Sequence, residues 1–263
     1  MSQPEFDVLF ASTAEHLRAV QMLRYDVFVR ELGGDGPMVD HAHCLEQDQF
    51  DPHSRHLLVL DRAREGGICG QVVGAYRLLD RAGAEQAGGF YSEQEYDLSL
   101  LTSSDRHLLE LGRSCLHRDY RGGMAMYHLW SALAAHIIAQ NVDVLFGVAS
   151  FYGCDAQALA QPLSLLHHRH LAPEALRVTA RTPCVPLDLI AADDLDRKAA
   201  MLQMPALIKA YLRLGGFVGQ GAYLDETFNT TDVCLILDVA SMSERQKRIY
   251  TKGQRNEPNL ASE

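Results

Sequence analysis

Three stretches of the chain carry residue types and spacings from which chemistry can be built. The first is Leu108-Leu109-Glu110-Leu111-Gly112-Arg113-Ser114-Cys115-Leu116, which continues as His117-Arg118-Asp119-Tyr120-Arg121-Gly122-Gly123 into a helical pattern. A strand that feeds through Arg and Gly into a helix N-terminus is a ready anion site, because open N–H groups and the helix dipole favour a phosphate there. Arg121, with Arg113 and Arg118 beside it, can add charge-assisted hydrogen bonds, and Gly122-Gly123 lets a ligand approach the backbone closely. The same residues could equally form a turn and a cap. Glu110, alternating with apolar neighbours, is placed to act as a general base, directly or through water; the competing reading is an ion pair with Arg113 or Arg77.

The second stretch is the N-terminal helix, where Arg24 falls on the apolar stripe of Val20, Val27 and Phe28. An arginine there needs a carboxylate partner, or it must carry its head out to water. The third is Glu46-Gln47-Asp48-Gln49-Phe50-Asp51, three acids in six residues before a strand. They form either a solvated loop or, if they converge, a cation or amine site with Arg24 as counter-charge; paired carboxylates can also raise one another's pKa. The groups His41/His43 and His167/His168/His170 lack a second ligand cluster at a useful spacing, so no metal site is expected. Cys115 and Cys154 lie near these segments without a histidine partner in sequence and read as buried thiols.

Strands are expected at Phe6–Phe10, His56–Leu60, Val72–Leu79, Leu108–Leu116, Val142–Val148 and Val233–Val239, from period-two or continuous apolar runs. Ser12-Thr13 offers an N-cap for a helix running to about Leu32. Met126, Leu129, Trp130, Leu133 and Ile137 form a single apolar helical stripe. Further helices are expected at about 156–168 and from Pro205 to Gly215-Gly216. No repeat and no long linker divides the chain. One α/β domain of roughly seven strands, covering 1–243 with a tail at 244–263, is the economical reading.

Twenty-four Lys and Arg against thirty-four Asp and Glu leave the 263 residues at −10, which disfavours nucleic acid as a partner. The excess is uneven: five basic residues against one acidic give 244–255 a charge of +4, and −14 falls on the rest. That tail could dock an acidic carrier protein or a membrane surface, or simply be solvated. No apolar run is long enough to span a bilayer, the N-terminus lacks a secretory pattern, and six scattered cysteines suit a reducing compartment. A cytoplasmic protein, with peripheral contact to the inner membrane as a further expectation, is indicated.

Taken together, Glu110 on a strand and Arg121-Gly122-Gly123 opening a helix resemble the GNAT acyltransferase fold, a central mixed twisted sheet flanked by helices. Over most of its length the chain is similar to the ornithine acyltransferases that make lyso-ornithine lipid. The matching segments include Leu23-Arg24-Tyr25-Asp26-Val27-Phe28, Asp48-Gln49-Phe50-Asp51, Gly74-Ala75-Tyr76-Arg77-Leu78-Leu79 and Glu110-Leu111-Gly112-Arg113-Ser114-Cys115. Phe146-Gly147-Val148-Ala149-Ser150-Phe151 and Asp225-Glu226-Thr227-Phe228-Asn229-Thr230-Thr231-Asp232-Val233 match as well. The N-terminal half also resembles the acyl-homoserine-lactone synthases. These likenesses imply that Arg24, Asp48, Asp51, Arg77, Glu110 and Arg113 build an amino-acid acceptor site and orient the acyl chain.

The GNAT phosphate loop usually reads Arg/Gln-x-x-Gly-x-Gly/Ala; counted from Arg121, the two glycine positions here are Met124 and Met126. That departure fits a donor without the nucleotide, a 4′-phosphopantetheine thioester on acyl carrier protein, with no bound cofactor. The resemblance implies attack of the α-amino group of L-ornithine on a 3-hydroxyacyl thioester, with Glu110 as base, Asp48 or Asp51 sharing that role, and Tyr152 or Ser150 serving the leaving thiolate. Met124, Trp130, Phe146 and Phe151 are candidate walls of an acyl groove. A different acceptor (glycine, lysine, glutamine or S-adenosylmethionine) and a non-catalytic binding module are the competing readings.

Overall fold

The computed structural model describes residues 3–240 and Met242. Among these are eleven strands: β1 Phe6–Phe10, β2 Arg55–Asp61, β3 Val72–Asp80, β4 Tyr96–Asp97, β5 Leu108–Leu116, β6 Val144–Tyr152, β7 Thr179–Ala180, β8 Cys184–Val185, β9 Phe217–Val218, β10 Ala222–Asp225 and β11 Thr230–Asp238. Seven of them have four or more residues, the number expected from the sequence. One sheet runs β1-β2-β3-β5-β6-β11-β10-β8, with β9 beside β11, and β4 pairs with β7 in a separate ribbon. The basic tail at 244–263 lies outside the described residues. No helix among the described residues is long and apolar enough to cross a membrane.

All ladders in the main sheet are antiparallel except β5–β6. A parallel pair needs a crossover, and the helix Ala125–Ala139 supplies it. Its Leu129, Leu133 and Ile137 pack on one face of the sheet, joined by Leu163 and Leu166 of the helix Ala160–His170 and by Ile208 and Tyr211 of the helix Ala206–Arg213. The helix Ala14–Arg24 covers part of the opposite face. Strand β2 shows the division cleanly: Leu57 and Val59 face the crossover helix, while Leu58 and Leu60 face Ala19, Val20 and Leu23. Sheet strands covered on both sides read as unbroken apolar runs, which is why β2, β3 and β6 are so apolar.

Thr13 caps the first helix, its Oγ1 accepting from the His16 N–H at 3.1 Å. The helix expected to reach Leu32 is α-helical only to Arg24; Tyr25–Glu31 widens into a π-helix, a form concentrated at functional sites. Strand β6 outlasts its apolar run, ending at Tyr152 instead of Val148. Its polar positions Ser150 and Tyr152 stay in the sheet because they pair with Asp232 and Thr230 of β11, which starts three residues earlier than its own apolar run predicts.

The parallel β5–β6 ladder is short. It holds Leu108↔Val144, Leu109↔Leu145 and Glu110↔Phe146 and then stops, although both strands continue for six more residues. Beyond Glu110, β5 follows β3 while β6 follows β11, so the two strands diverge and a cleft opens between them. Gly147 sits where they part: a Cβ there would overlap the Leu111 carbonyl oxygen. Arg113 takes φ +52°, and the β3–β5 register shifts between Ala75 and Arg77 around it. That irregularity re-aims the side chains bordering the cleft, as bulges next to active sites commonly do.

Candidate active site

A cavity of about 250 Å³ fills the cleft, walled by both strand edges, Leu111–Ser114 on one side and Gly147–Ser150 on the other. Tyr91, Glu110, Arg113, Asp225 and Asp232 give it a polar wall. Phe28 and Leu32 from the N-terminal segment, Leu207 and Tyr211, Phe228 and Leu235 make it apolar elsewhere.

Glu110 is 3% exposed and its two oxygens are held by one turn. Oε2 accepts the Tyr91 N–H at 2.8 Å; Oε1 accepts the Ser92 N–H at 2.6 Å and also the Ser92 hydroxyl. Each carboxylate oxygen has about two acceptor sites, so Oε2 retains one for a water or an amine. Burial pushes the Glu110 carboxyl up, against the opposing pull of the Ser92 hydrogen bonds. The ion pair with Arg113 or Arg77 weighed from the sequence does not form: the Phe90–Ser92 turn supplies the partners instead.

Arg24 is the buried arginine that the stripe on the N-terminal helix exposes, and it has found carboxylates. At 0% exposure, its Nε donates to Glu46 and its Nη1 to Asp51 at 2.7 Å. Arg77 Nη1 reaches Asp48 at 2.5 Å and Asp51 at 3.2 Å, and Arg113 bonds Glu46 and Asp48, each at 3.0 Å. Gln21 adds a donor to Asp51 at 3.1 Å. Three arginines and three carboxylates therefore close on one another with no net charge. Although burial disfavours the charged forms, Arg77 and Arg113 hold the Asp48 carboxyl well below the usual range, and Arg24 lowers those of Asp51 and Glu46. Carboxylates held ionised by arginines are poor proton acceptors, so Asp48 and Asp51 are not bases in this arrangement. Only Arg113 of the six lines the cavity. Arg24, Asp48, Asp51 and Arg77, expected at the amino acid, lie off the cavity wall in the network behind Arg113, and the acid run is neither a solvated loop nor an open cation site.

A second group of acids escaped the sequence reading. Glu95, Asp225 and Asp232 bring carboxylate oxygens within 4.8 Å of one another, and Asp225 and Asp232 line the cavity. Burial pushes the Asp232 carboxyl up to about 6 and raises Glu95 well above its ordinary value, with the neighbouring acids adding to both. The signal in the sequence was Asp232 itself, a charge inside the nearly apolar β11, paired across the strands with the equally polar Ser150.

The remaining expected residues divide. Ser150 lines the cavity, whereas Tyr152 is 70% exposed and does not. Phe146 and Phe151 are buried on opposite faces of β6 as ordinary core, and Trp130 packs edge-on against Tyr211 at 5.4 Å. Met124 is exposed. None of the four walls the cavity, and the apolar lining comes from Phe28, Leu32, Leu207, Tyr211 and Leu235 instead. The loop of Arg118, Arg121, Gly122 and Gly123 also lies outside the cavity walls, and Arg121 is engaged with Glu31 at 2.5 Å and the Leu116 carbonyl at 3.2 Å. Gly122 has φ +76°, which explains a glycine there without a ligand. The Cys115 thiol is buried and pushed up to about 12 by that burial; Cys154 is only half-buried, contrary to expectation, and also raised by burial.

A parallel strand pair that splays at a buried glutamate, with a crossover helix behind it, is an arrangement shared with known acyltransferases. Residues 23–131 match the family described as Acetyltransferase (GNAT) domain. Solved structures with the same fold include the acyl-homoserine lactone synthase LasI (TM-score 0.52, 16% identity, 95% of this chain and 96% of that one) and FeeM, an N-acyl amino acid synthase from uncultured soil microbes (TM-score 0.53, 10% identity, 96% and 98%). Sequence narrows the class. The L-ornithine N(alpha)-acyltransferase of Rhodobacter capsulatus is 53% identical over 94% of this chain and 95% of its own length, and that of Brucella abortus is 39% identical over 93% and 88%. The chain belongs to this family of L-ornithine N(alpha)-acyltransferases.

Proposed function

We propose that the protein transfers a 3-hydroxyacyl group from the phosphopantetheine thioester of acyl carrier protein to the α-amino group of L-ornithine, giving lyso-ornithine lipid. The observation that carries this reading is the position of Glu110, a buried carboxylate with one free acceptor site on the wall of the β5–β6 cleft. The acceptor named for the relatives at 53% and 39% identity supplies the amino acid.

The attacking amine must first lose a proton, which passes to Glu110 through a water at Oε2. The nitrogen then adds to the thioester carbonyl; the C–N bond forms, the C–S bond breaks, the thiolate leaves, and the second proton of the adduct nitrogen passes to it by way of Ser150. Backbone N–H groups on the β5 edge between Leu111 and Ser114, which lack a β6 partner, are placed to polarise the carbonyl. Ser150, on the facing edge, is the proton source for the thiolate. Arg113, held by Glu46 and Asp48, orients the acceptor's carboxylate; positioning of this kind lowers the barrier without taking part in the chemistry. The free thiol, the amide and one proton balance the reaction.

The donor assignment draws on the loop at Arg121. Its guanidinium is committed to Glu31 and Leu116, and methionines stand where pyrophosphate-binding loops have glycine. An arm without a nucleotide needs no such clamp. The half-exposed Leu32 on the cavity wall offers the long chain an apolar exit, suited to a cytoplasmic enzyme working at the inner membrane surface. Lipid extracts of a host that lacks ornithine lipids and expresses the protein test the reading: mass spectrometry should show N-(3-hydroxyacyl)ornithine. A different head group would overturn the acceptor, and an unhydroxylated chain would overturn the donor.

A further inference from the structure

Beside the cavity lies a group of acids that the transfer reaction itself does not explain. The arginine–carboxylate network beside it is balanced, three against three, whereas Glu95, Asp225 and Asp232 form no ion pair with an arginine or lysine among the described residues. Arg113 acts on Glu95 electrostatically, but its guanidinium is bonded to Glu46 and Asp48. Glu95 is 3% and Asp232 4% exposed, and Glu95 Oε2 and Asp232 Oδ1 are buried without a hydrogen-bond partner. Native proteins rarely leave a buried carboxylate oxygen unmatched, and where they do a ligand is a common reason.

The surrounding structure fixes this group firmly. The Tyr96 hydroxyl donates to the Asp232 carbonyl at 2.8 Å and reaches the Gly221 carbonyl at 3.0 Å, which locks the Glu95 segment onto the β10–β11 hairpin. Asp225 Oδ1 accepts the Thr227 and Phe228 N–H groups, so its position is set by its own turn. The Phe90–Ser92 turn that holds Glu110 runs directly into Glu95, and the Tyr91 ring lies 4.7 Å from the Arg113 guanidinium. The trio is thus built in register with the catalytic carboxylate.

We propose that Glu95, Asp225 and Asp232 form a tripod for the side-chain ammonium of the acceptor amino acid, and so select a diamino acid over a neutral one. The proposal rests on the acceptor reading given above. A primary ammonium has three donors and no acceptor, matched one to one by three carboxylates. Charge-assisted N–H···O contacts of about 2.8 Å arranged tetrahedrally would separate the oxygens by about 4.6 Å, and the three lie within 4.8 Å of one another. A magnesium ion wants near-octahedral oxygen ligation at about 2.0–2.1 Å and calcium six to eight ligands, demands that three carboxylates alone do not meet. The tripod keeps the distal nitrogen protonated, and therefore unreactive, while the α-amine is delivered to Glu110.

The test compares ornithine with 2-aminopentanoate, its analogue lacking the distal amine, as acceptors for the wild type, Asp225→Asn and Glu95→Gln, with melting curves confirming folding. Asp225 is only partly buried, so its variant should fold. A site built around an ammonium rejects the analogue lacking it by on the order of 10⁴-fold in kcat/KM. Asp225→Asn should raise the ornithine KM by about 10- to 100-fold and affect 2-aminopentanoate far less, narrowing the ratio by the same factor. Ornithine turnover with a ratio unmoved in both variants overturns the tripod and leaves the acceptor reading standing. A wild type that acylates neither ornithine nor lysine overturns that reading first, and the tripod with it. Calcium or magnesium binding that Asp225→Asn abolishes, with the ornithine KM unmoved, assigns the trio to a metal and also overturns the proposal.

Discussion

Ser92 donates its backbone N–H to Glu110 Oε1 at 2.6 Å and its hydroxyl to the same oxygen. A turn remote in sequence thereby fixes the carboxylate that borders the cleft, and the segment after that turn carries Glu95. Strand β5 and the 90–96 segment are in this way one functional unit, and the consequences can be measured.

Glu110→Gln should lower kcat by about 10²- to 10⁴-fold, the usual contribution of a general base. An amide also brings an NH₂ against the Tyr91 and Ser92 donors, so we expect a stability loss of about 1–3 kcal/mol. Steady-state kinetics and a denaturant titration separate the two effects. A variant that remains fully active removes Glu110 from the role of base.

Asp232→Asn should behave oppositely in stability. The Asp232 carboxyl sits at about 6 in the folded chain against 3.8 when unfolded, because burial disfavours its charge. As pH rises from 4 to 6 the unfolded chain releases this proton first, so folding loses stability, and the loss is complete above about pH 6. At 1.4 kcal/mol per tenfold change in proton affinity, the loss is on the order of 3 kcal/mol. The variant's stability advantage over wild type should therefore be small at pH 4 and near its maximum at pH 7. Parallel stability curves over that range would contradict the assignment.

Arg24→Met should be among the most damaging substitutions away from the cavity. It leaves Glu46 and Asp51 buried beside one fewer cation, at a cost of about 3–5 kcal/mol. Arg24→Lys cannot reproduce the forked contacts and should recover only part of that. Chemical denaturation measures both, and a loss below about 1 kcal/mol would mean the network contributes no more than a surface pair.

Gly147→Ala tests the splay itself. The added methyl meets the Leu111 carbonyl oxygen where β5 and β6 part, and overpacking of this sort costs about 1–3 kcal/mol. Because the displaced backbone is the cavity wall, kcat/KM should fall even in the folded fraction. Tyr152→Phe is the matching control: its exposed ring is off the wall, and turnover should stay within about twofold.

Local signals in the chain were strong enough to place β5 to the residue, to mark Thr13 as a cap and to identify the crossover helix by its Leu129–Leu133–Ile137 stripe. Arg24 announced itself by breaking an apolar stripe, and of the two outcomes open to it, a carboxylate partner or a head in water, the structure has the first. What the sequence could not convey was mutual commitment: arginines and acids drawn from positions 24 to 113 satisfy one another, so charges that looked available for substrate are already paired. The expected acyl-groove residues lie off the cavity for a related reason, since strand alternation buries Phe146 and Phe151 on opposite faces while the cavity follows the strand edges. Glu95 and Asp232 meet through the Tyr96 bridge, a contact spanning 136 residues.

The central claim is that the cleft at Glu110 joins a carrier-bound acyl group to the α-amine of ornithine. Purified protein incubated with 3-hydroxyacyl-acyl carrier protein and ornithine should release one free thiol per molecule of Nα-acylornithine, measured by thiol titration and tandem mass spectrometry. Thiol release without an amide, acylation of the distal nitrogen, or no release at all would contradict it.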